Sequence, residues 1–153
     1  MSSGSLLHSL DAASAFAQEK GRDCAQPLVF VVDDDPAMTR LLRYTLEAED
    51  CRVRTFCAAW QVLRQRTRPN VFLLDRDLPD RDGLELCAHI RQNPLWAGVP
   101  VIFVSGKTSE KDRIEGLKLA SDYIAKPFSP SDLIARVHAV LAGAHQPMGS
   151  LAQ

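Results

Sequence analysis

The sequence lacks any long hydrophobic run. Its longest apolar stretches, Leu28–Val32 and Val99–Val104, are far shorter than the roughly 20 residues that a membrane-spanning helix requires. The first ten residues also lack the basic start and the continuous apolar core of a secretory signal. We therefore predict a cytoplasmic protein with no membrane segment.

The sequence also has no excess of charge of either sign. Eighteen Lys and Arg residues stand against nineteen Asp and Glu residues, which leaves a formal net charge of −1. No overall field attracts nucleic acid or anionic lipid, so we do not expect direct nucleic-acid binding. One local arginine cluster is either a partner surface or, as we favour, a protected sheet edge followed by a solvated helix end. It consists of Arg52, Arg54, Arg64, Arg66 and Arg68, with no acidic residue between them.

No Cys-x-x-Cys pair is present. The four cysteines, Cys24, Cys51, Cys57 and Cys87, lack the spacing of a zinc or dithiol site. We interpret them as free thiols in a reducing compartment, with no catalytic or metal-binding role.

The length of 153 residues fits one domain, and its 46% hydrophobic residues are enough for a buried core. Residues 1–26 are rich in Ser and Ala and carry no strand signal, so we predict an N-terminal extension there. Residues 27–143 form the predicted domain. Residues 144–153 are a C-terminal tail or a linker.

Within residues 27–143, short apolar runs alternate with amphipathic segments five times. This pattern predicts an α/β fold, a parallel sheet between two layers of helices. The second run alternates arginine with apolar residues, as expected of a sheet edge. The predicted strands are Leu28–Asp33, Arg52–Phe56, Val71–Asp75, Val99–Ser105 and Tyr123–Ala125.

Helix starts have signals of their own. Asp35 precedes Pro36, which indicates an N-cap followed by proline at the first helical position. Asp82, Ser109 and Ser129 each have an acidic residue three positions later, the spacing of a capping box. In the first helix, the apolar face is predicted to contain Met38, Leu41, Leu42, Thr45 and Leu46.

Polar residues stand where four of the predicted strands end. Ligands of open α/β sheets bind at the carboxyl ends of the strands. Asp33, Asp34 and Asp75 would repel one another there unless a cation were present, and Mg²⁺ prefers such oxygen ligands. Ser105 and Lys126 supply the hydroxyl and the positive charge that a phosphoryl group requires.

Four runs of the sequence resemble the receiver domain of bacterial response regulators, the phospho-acceptors of two-component signalling. The resemblance covers about residues 27–143 and implies a flavodoxin-like (βα)5 sandwich with the chemotaxis-receiver strand order 2-1-3-4-5. The runs are Val-Val-Asp-Asp-Asp-Pro (31–36), Leu-Leu-Asp-Arg-Asp-Leu-Pro-Asp-Arg-Asp-Gly (73–83), Val-Ser-Gly (104–106) and Asp-Tyr-Ile-Ala-Lys-Pro-Phe (122–128).

The resemblance implies a phosphorylation site at Asp75. Asp34, Asp75 and the backbone carbonyl of Asp77 are its expected Mg²⁺ ligands, and Asp33 contributes through water. Lys126 is expected to pair with Asp75 and then with its phosphate. The phosphoryl donor is a histidine kinase or a histidine phosphotransfer protein. A receiver is a signalling domain rather than an enzyme, although it catalyses its own phosphorylation and its own dephosphorylation.

The resemblance also implies a conformational switch. The hydroxyl of Ser105 moves to the phosphate, and the ring of Tyr123 turns inward into the vacated space. The signal passes to an output domain or partner that this sequence does not reveal, so the chain is either a stand-alone receiver or a fragment of a larger regulator. The family pattern has a helix-ending glycine where this chain has Leu119, which predicts an altered end of the fourth helix.

Two other functions are compatible with parts of this sequence. A degenerate receiver would bind partners without being phosphorylated. A haloacid-dehalogenase-like phosphatase would use the Asp-x-Asp motif of Asp75 and Asp77, but such enzymes place their metal-binding acids after the lysine. Here the acidic pair comes about forty residues before Asp75, which favours the receiver.

Overall fold

The computed structural model describes residues 26–143, in which five strands alternate with five helices. The predicted extensions, except for residue 26, lie outside the described residues. The strands are β1 (Leu28–Val32), β2 (Arg52–Phe56), β3 (Val71–Leu74), β4 (Val101–Ser105) and β5 (Asp122–Ala125). The helices are α1 (Pro36–Glu47), α2 (Ala59–Leu63), α3 (Gly83–Gln92), α4 (Glu110–Leu117) and α5 (Pro130–Leu141).

All neighbouring strands pair in parallel, in the order β2-β1-β3-β4-β5, which confirms the predicted fold. A separate apolar core covers each face of the sheet. One core packs α2 and α3 against the sheet, and the other packs α1 and α5. The three central strands are buried along their whole length because they are covered on both faces.

The predicted helix starts are confirmed. Asp35 accepts a hydrogen bond from the amide of Ala37, and Asp82 accepts one from the amide of Leu84. The Ser109 and Ser129 hydroxyls each accept from an amide three residues later. Each side chain thereby satisfies an amide that the first turn of a helix leaves unpaired.

β4 begins two residues later than predicted. The amide of Val99 donates to the carbonyl of Trp96 in a turn, and Pro100 has no amide hydrogen to give the sheet. The face of α1 also differs, since Leu41 is exposed while Leu42, Thr45 and Leu46 are buried.

The end of α4 shows how the chain manages without a glycine at Leu119. Lys118 ends the helix in a right-handed conformation, and the amides of Leu119 and Ala120 both donate to the carbonyl of Gly116. Leu119 packs against the core. No left-handed residue is therefore needed here.

β2 forms one edge of the sheet, as the arginine pattern predicted. The side chains of Arg52 and Arg54 are exposed, and the guanidinium of Arg54 lies over the rings of Phe30 and Phe56. Among the described residues, no helix is long and apolar enough to cross a membrane.

Candidate functional site

The polar residues predicted to form the site meet at one end of the sheet. Ladder hydrogen bonds continue one residue beyond three strands and fix the backbone of the site. The amide of Asp33 donates to Phe56, that of Asp75 to Val32 and that of Lys126 to Ser105. The order of the strands therefore places Asp33 and Asp75 at the carboxyl ends of two neighbouring strands.

Lys126 joins the two buried aspartates. Its Nζ lies 2.7 Å from Oδ2 of Asp33 and 3.1 Å from Oδ2 of Asp75. The expected pairing of Lys126 with Asp75 is thus present, and a shorter bond to Asp33 accompanies it. The Lys126–Pro127 peptide is cis.

Three carboxylates converge around this lysine. One oxygen each from Asp33, Asp34 and Asp75 can be chosen so that all three lie within 4.8 Å of one another. Asp33 and Asp75 are buried, whereas Asp34 is exposed. Three carboxylates and one ammonium leave an excess of two negative charges, which a divalent cation would neutralise. Oxygen ligands of this number and charge fit Mg²⁺.

Burial and charge act in opposite directions on the ionisation of this cluster. Burial raises the pKa of Asp33 above its ordinary value, although the hydrogen bond from Lys126 opposes the shift. Burial disfavours the charged form of Lys126, but its bonds and proximity to Asp33 and Asp75 outweigh that effect and raise its pKa. Lys126 is therefore charged, and it compensates only part of the negative charge around it.

Asp77 lies at the rim of the site. Its amide donates to Oδ1 of Asp75, and its exposed carboxylate lies 3.5 Å from Nζ of Lys107. The predicted use of its carbonyl as a metal ligand stays a prediction.

Ser105 and Tyr123, the predicted switch pair, are both buried and both contact the backbone of Lys107. The Ser105 hydroxyl accepts a hydrogen bond from the Lys107 amide, at 3.1 Å. The Tyr123 hydroxyl donates to the Lys107 carbonyl, at 2.5 Å. The tyrosine ring therefore occupies the inward position that the resemblance assigned to the switched state.

Three residues near the site were given no role by the sequence patterns. Asp80 accepts hydrogen bonds from the amides of Ala59 and Trp60, so it caps α2 from the loop that follows β3. Gly83 lies so close to Asp75 that a Cβ would come 2.2 Å from the Asp75 carbonyl oxygen. Arg76, which directly follows Asp75, is buried. Asp80 and Arg76 have partners that are distant in sequence, so no local pattern predicts these contacts.

Comparison with known proteins agrees with this geometry. Residues 29–138 match the family described as the response regulator receiver domain. This chain belongs to that family. The phosphate regulon transcriptional regulatory protein PhoB of Rhizobium meliloti is 40% identical over 118 residues, which cover 75% of this chain and 52% of that protein. The alkaline phosphatase synthesis transcriptional regulatory protein PhoP of Bacillus subtilis is 38% identical over 116 residues, covering 74% of this chain and 48% of that protein.

Solved receiver structures share the fold. A response regulator of Chloroflexus aurantiacus matches with a TM-score of 0.74 and 31% identity, covering 77% of this chain and 99% of that one. DrrB, an OmpR/PhoB homologue of Thermotoga maritima, matches with a TM-score of 0.71 and 30% identity, covering 78% of this chain and 54% of that one. The receiver chain spans about half the length of the curated relatives it matches.

Proposed function

We propose that Asp75 accepts a phosphoryl group from a phosphohistidine and that the modified domain signals through a change at the β4 and β5 exits. The observation that carries this proposal is the shared lysine, since Lys126 contacts both Asp33 and Asp75 within a cluster of three carboxylates. A bare aspartate repels an approaching phosphate. Asp75 instead has a fixed cation 3.1 Å away.

In the transfer, the phosphorus–nitrogen bond of the phosphohistidine breaks and a phosphorus–oxygen bond forms to a carboxylate oxygen of Asp75. The electron pair of the broken bond stays on the imidazole. Lys126 orients the Asp75 carboxylate and stabilises charge on the transferred group. Mg²⁺, held by Asp34, Asp75 and the carbonyl of Asp77 with Asp33 acting through water, would neutralise the remaining charge. Water at the same site later hydrolyses the acyl phosphate.

Ser105 then changes its partner. A phosphoryl oxygen on Asp75 is a stronger acceptor than any neutral group in this region, and the serine hydroxyl can donate to it. That rotation weakens the bond between Ser105 and the Lys107 amide, whose own carbonyl holds Tyr123. The phosphorylation state thereby shifts an equilibrium between two arrangements of the β4–α4 loop.

We infer partners from the relatives. PhoB and PhoP are transcriptional regulatory proteins, and this chain matches only about half of each. A histidine kinase or histidine phosphotransfer protein is the proposed donor, acting in the cytoplasm. Residues 27–143 are proposed to be sufficient for the transfer because they contain every residue of the site.

The test is intact-mass measurement after incubation with acetyl phosphate and Mg²⁺. One phosphoryl group should be added to the natural chain and to the matched control Asp132→Asn, whose exposed carboxylate lies in α5. None should be added to Asp75→Asn or in excess chelator. Modification of Asp75→Asn, or equal modification in chelator, would contradict the proposal. A folded, unmodified natural chain would indicate the degenerate receiver, and sustained hydrolysis of a chromogenic phosphate ester would indicate the phosphatase.

A further inference from the structure

Arg76 is buried although it directly follows Asp75. Its side chain is 3% exposed, whereas arginine is seldom buried unless its donors are paired. The guanidinium reaches α4. The predicted mechanism gives it no role.

The guanidinium joins three polar groups of two helices. Its Nη1 donates to the carbonyl of Asp112, at 3.0 Å, and its Nη2 lies 3.6 Å from Oε1 of Glu115. Both residues are in α4. Its Nε lies 3.4 Å from Oδ1 of Asp82, the N-cap of α3. Arg76 therefore ties both helices to the peptide that follows the phospho-acceptor.

The same guanidinium lies over the switch region. Its Cζ is 5.9 Å from the centroid of Phe103, and that ring packs 5.6 Å from the ring of Tyr123. Tyr123 also packs so closely against Gly116 that a Cβ at that position would come 2.7 Å from the ring. Arg76, Phe103, Tyr123 and α4 thus form one continuous set of contacts.

α4 has few apolar attachments. Within this helix, which the structure describes in full, Gly116 is the one buried residue, and Ile114 is 48% exposed. Leu117 packs partly against the core. A helix with so little buried apolar surface depends on its polar ties for its position.

We propose that Arg76 is the positioning residue that couples Asp75 to α4, by holding that helix against Phe103 and Tyr123. This inference rests on the proposed phosphorylation of Asp75. Phosphorylation moves the loop from which Arg76 projects, and Arg76 transmits that movement to Asp112 and Glu115. The route is additional to the one through Ser105 and Lys107.

The experiment is amide hydrogen exchange across α4 with and without phosphorylation, in the natural chain and in Arg76→Met. We expect Arg76→Met to be phosphorylated to the same extent by intact mass. In its unmodified state, α4 should exchange about tenfold faster, the effect of losing roughly one charge-assisted hydrogen bond. The difference between its modified and unmodified states should fall to less than half of the natural value.

Arg43→Met is the matched control. The Arg43 guanidinium also bonds a backbone carbonyl, that of Val53, and a carboxylate four residues away, but it lies between α1 and β2. A purely structural role of Arg76 would make Arg76→Met less stable and leave the phosphorylation-dependent difference in α4 unchanged in both variants, although Arg43 itself is 42% exposed. We expect that difference to survive in Arg43→Met and to be lost in Arg76→Met.

Glu115→Gln keeps the inference testable if Arg76→Met does not fold, because the Glu115 side chain is 39% exposed. This variant should raise the rate of amide hydrogen exchange in α4 of the unmodified protein. It should also reduce the difference in that rate between the phosphorylated and unmodified states. Unchanged α4 exchange in Glu115→Gln, or a natural-sized difference in Arg76→Met, would overturn the coupling while leaving phosphorylation of Asp75 intact. A natural chain that never gains a phosphoryl group would overturn the proposed function and this inference together.

Discussion

The hydroxyl of Tyr123 donates a hydrogen bond to the carbonyl of Lys107, and the amide of that same lysine donates to Ser105. The backbone of Lys107 therefore contacts both members of the proposed switch pair. Any movement of the serine hydroxyl toward Asp75 changes the backbone that holds the tyrosine.

Ser105→Ala should uncouple phosphorylation from the rearrangement of the backbone around Tyr123. The hydroxyl bonds the phosphate only in the modified state, and a bond to a charged group contributes about 1.5 to 3 kcal/mol, or one to two decades in a two-state ratio. Phosphorylation by acetyl phosphate should persist. Chemical shifts at Tyr123 and Gly116 report the change. Ser105→Thr retains the hydroxyl and serves as the control, so equal shifts in the Ala variant would disprove the coupling.

Asp34→Ala should weaken Mg²⁺ binding more than Asp33→Ala. Asp34 is exposed and close to the other two carboxylates, whereas Asp33 already accepts hydrogen bonds from Lys126 and the Asp35 amide. We expect a loss of about tenfold or more in affinity for Asp34→Ala, the order of one direct ligand. Isothermal titration with MgCl₂ measures it. A larger loss in Asp33→Ala would reverse the assignment of direct and water-mediated ligands.

Gly83→Ala should damage the site through the backbone. A Cβ at this position meets the Asp75 carbonyl oxygen at 2.2 Å, so the strand exit must move. Overpacking of this kind costs about 1–3 kcal/mol, and displacement of a reacting group by about 1 Å can slow a reaction about a hundredfold. Gly98→Ala is the control, because its nearest atom is 4.0 Å away on a flexible arginine. Equal denaturation midpoints and phosphorylation rates in the two variants would contradict this account.

Asp80→Ala should lower the free energy of unfolding by about 1 kcal/mol, the usual effect of losing an N-cap. Desolvation opposes ionisation of Asp80, but the hydrogen bonds from Ala59 and Trp60 together outweigh it and lower its pKa below the ordinary 3.8. A lowered folded pKa stabilises the protein above the ordinary pKa and loses that contribution as pH falls through the folded value. The difference in free energy of unfolding between the natural chain and Asp80→Ala, measured by urea titration, should therefore vanish in strong acid. A difference that grows in strong acid would contradict the predicted direction of the pH dependence. Asp80→Asn should keep most of the stability.

Among the described cysteines, Cys57 should react first with iodoacetamide at pH 8. Burial raises the pKa of Cys51 and of Cys87 to about 11, so almost none of either is thiolate, whereas Cys57 is exposed. Peptide mass mapping over time gives the order. All should react alike in denaturant, and early labelling of Cys87 in the folded protein would contradict the buried core around it.

Local signals predicted the elements of this fold well because each acts over a few residues. Asp35, Asp82, Ser109 and Ser129 cap the helices that follow them, and apolar runs became buried strands. Errors occurred where a local pattern was ambiguous. Leu41 has the spacing of the buried face, yet it lies at its margin and is exposed.

The convergence of Asp33, Asp34, Asp75 and Lys126 was also predictable, because parallel strands bring their carboxyl ends to one edge. The detailed partners were not. The bond between Lys126 and Asp33, the burial of Arg76 and the capping of α2 by Asp80 depend on the separation of helices and loops in space. No spacing along the chain encodes those distances.

The bond between Lys126 and Asp33 joins residues that are 93 positions apart. During synthesis, Asp33 is made long before Lys126, so this bond can form only after almost the whole domain has been synthesised. Until β5 has paired with β4, Asp75 lacks its ammonium partner Lys126. Under the proposed function, phosphorylation of Asp75 would therefore require that the last strand has joined the sheet, so the phosphorylation site would be completed only at the end of folding.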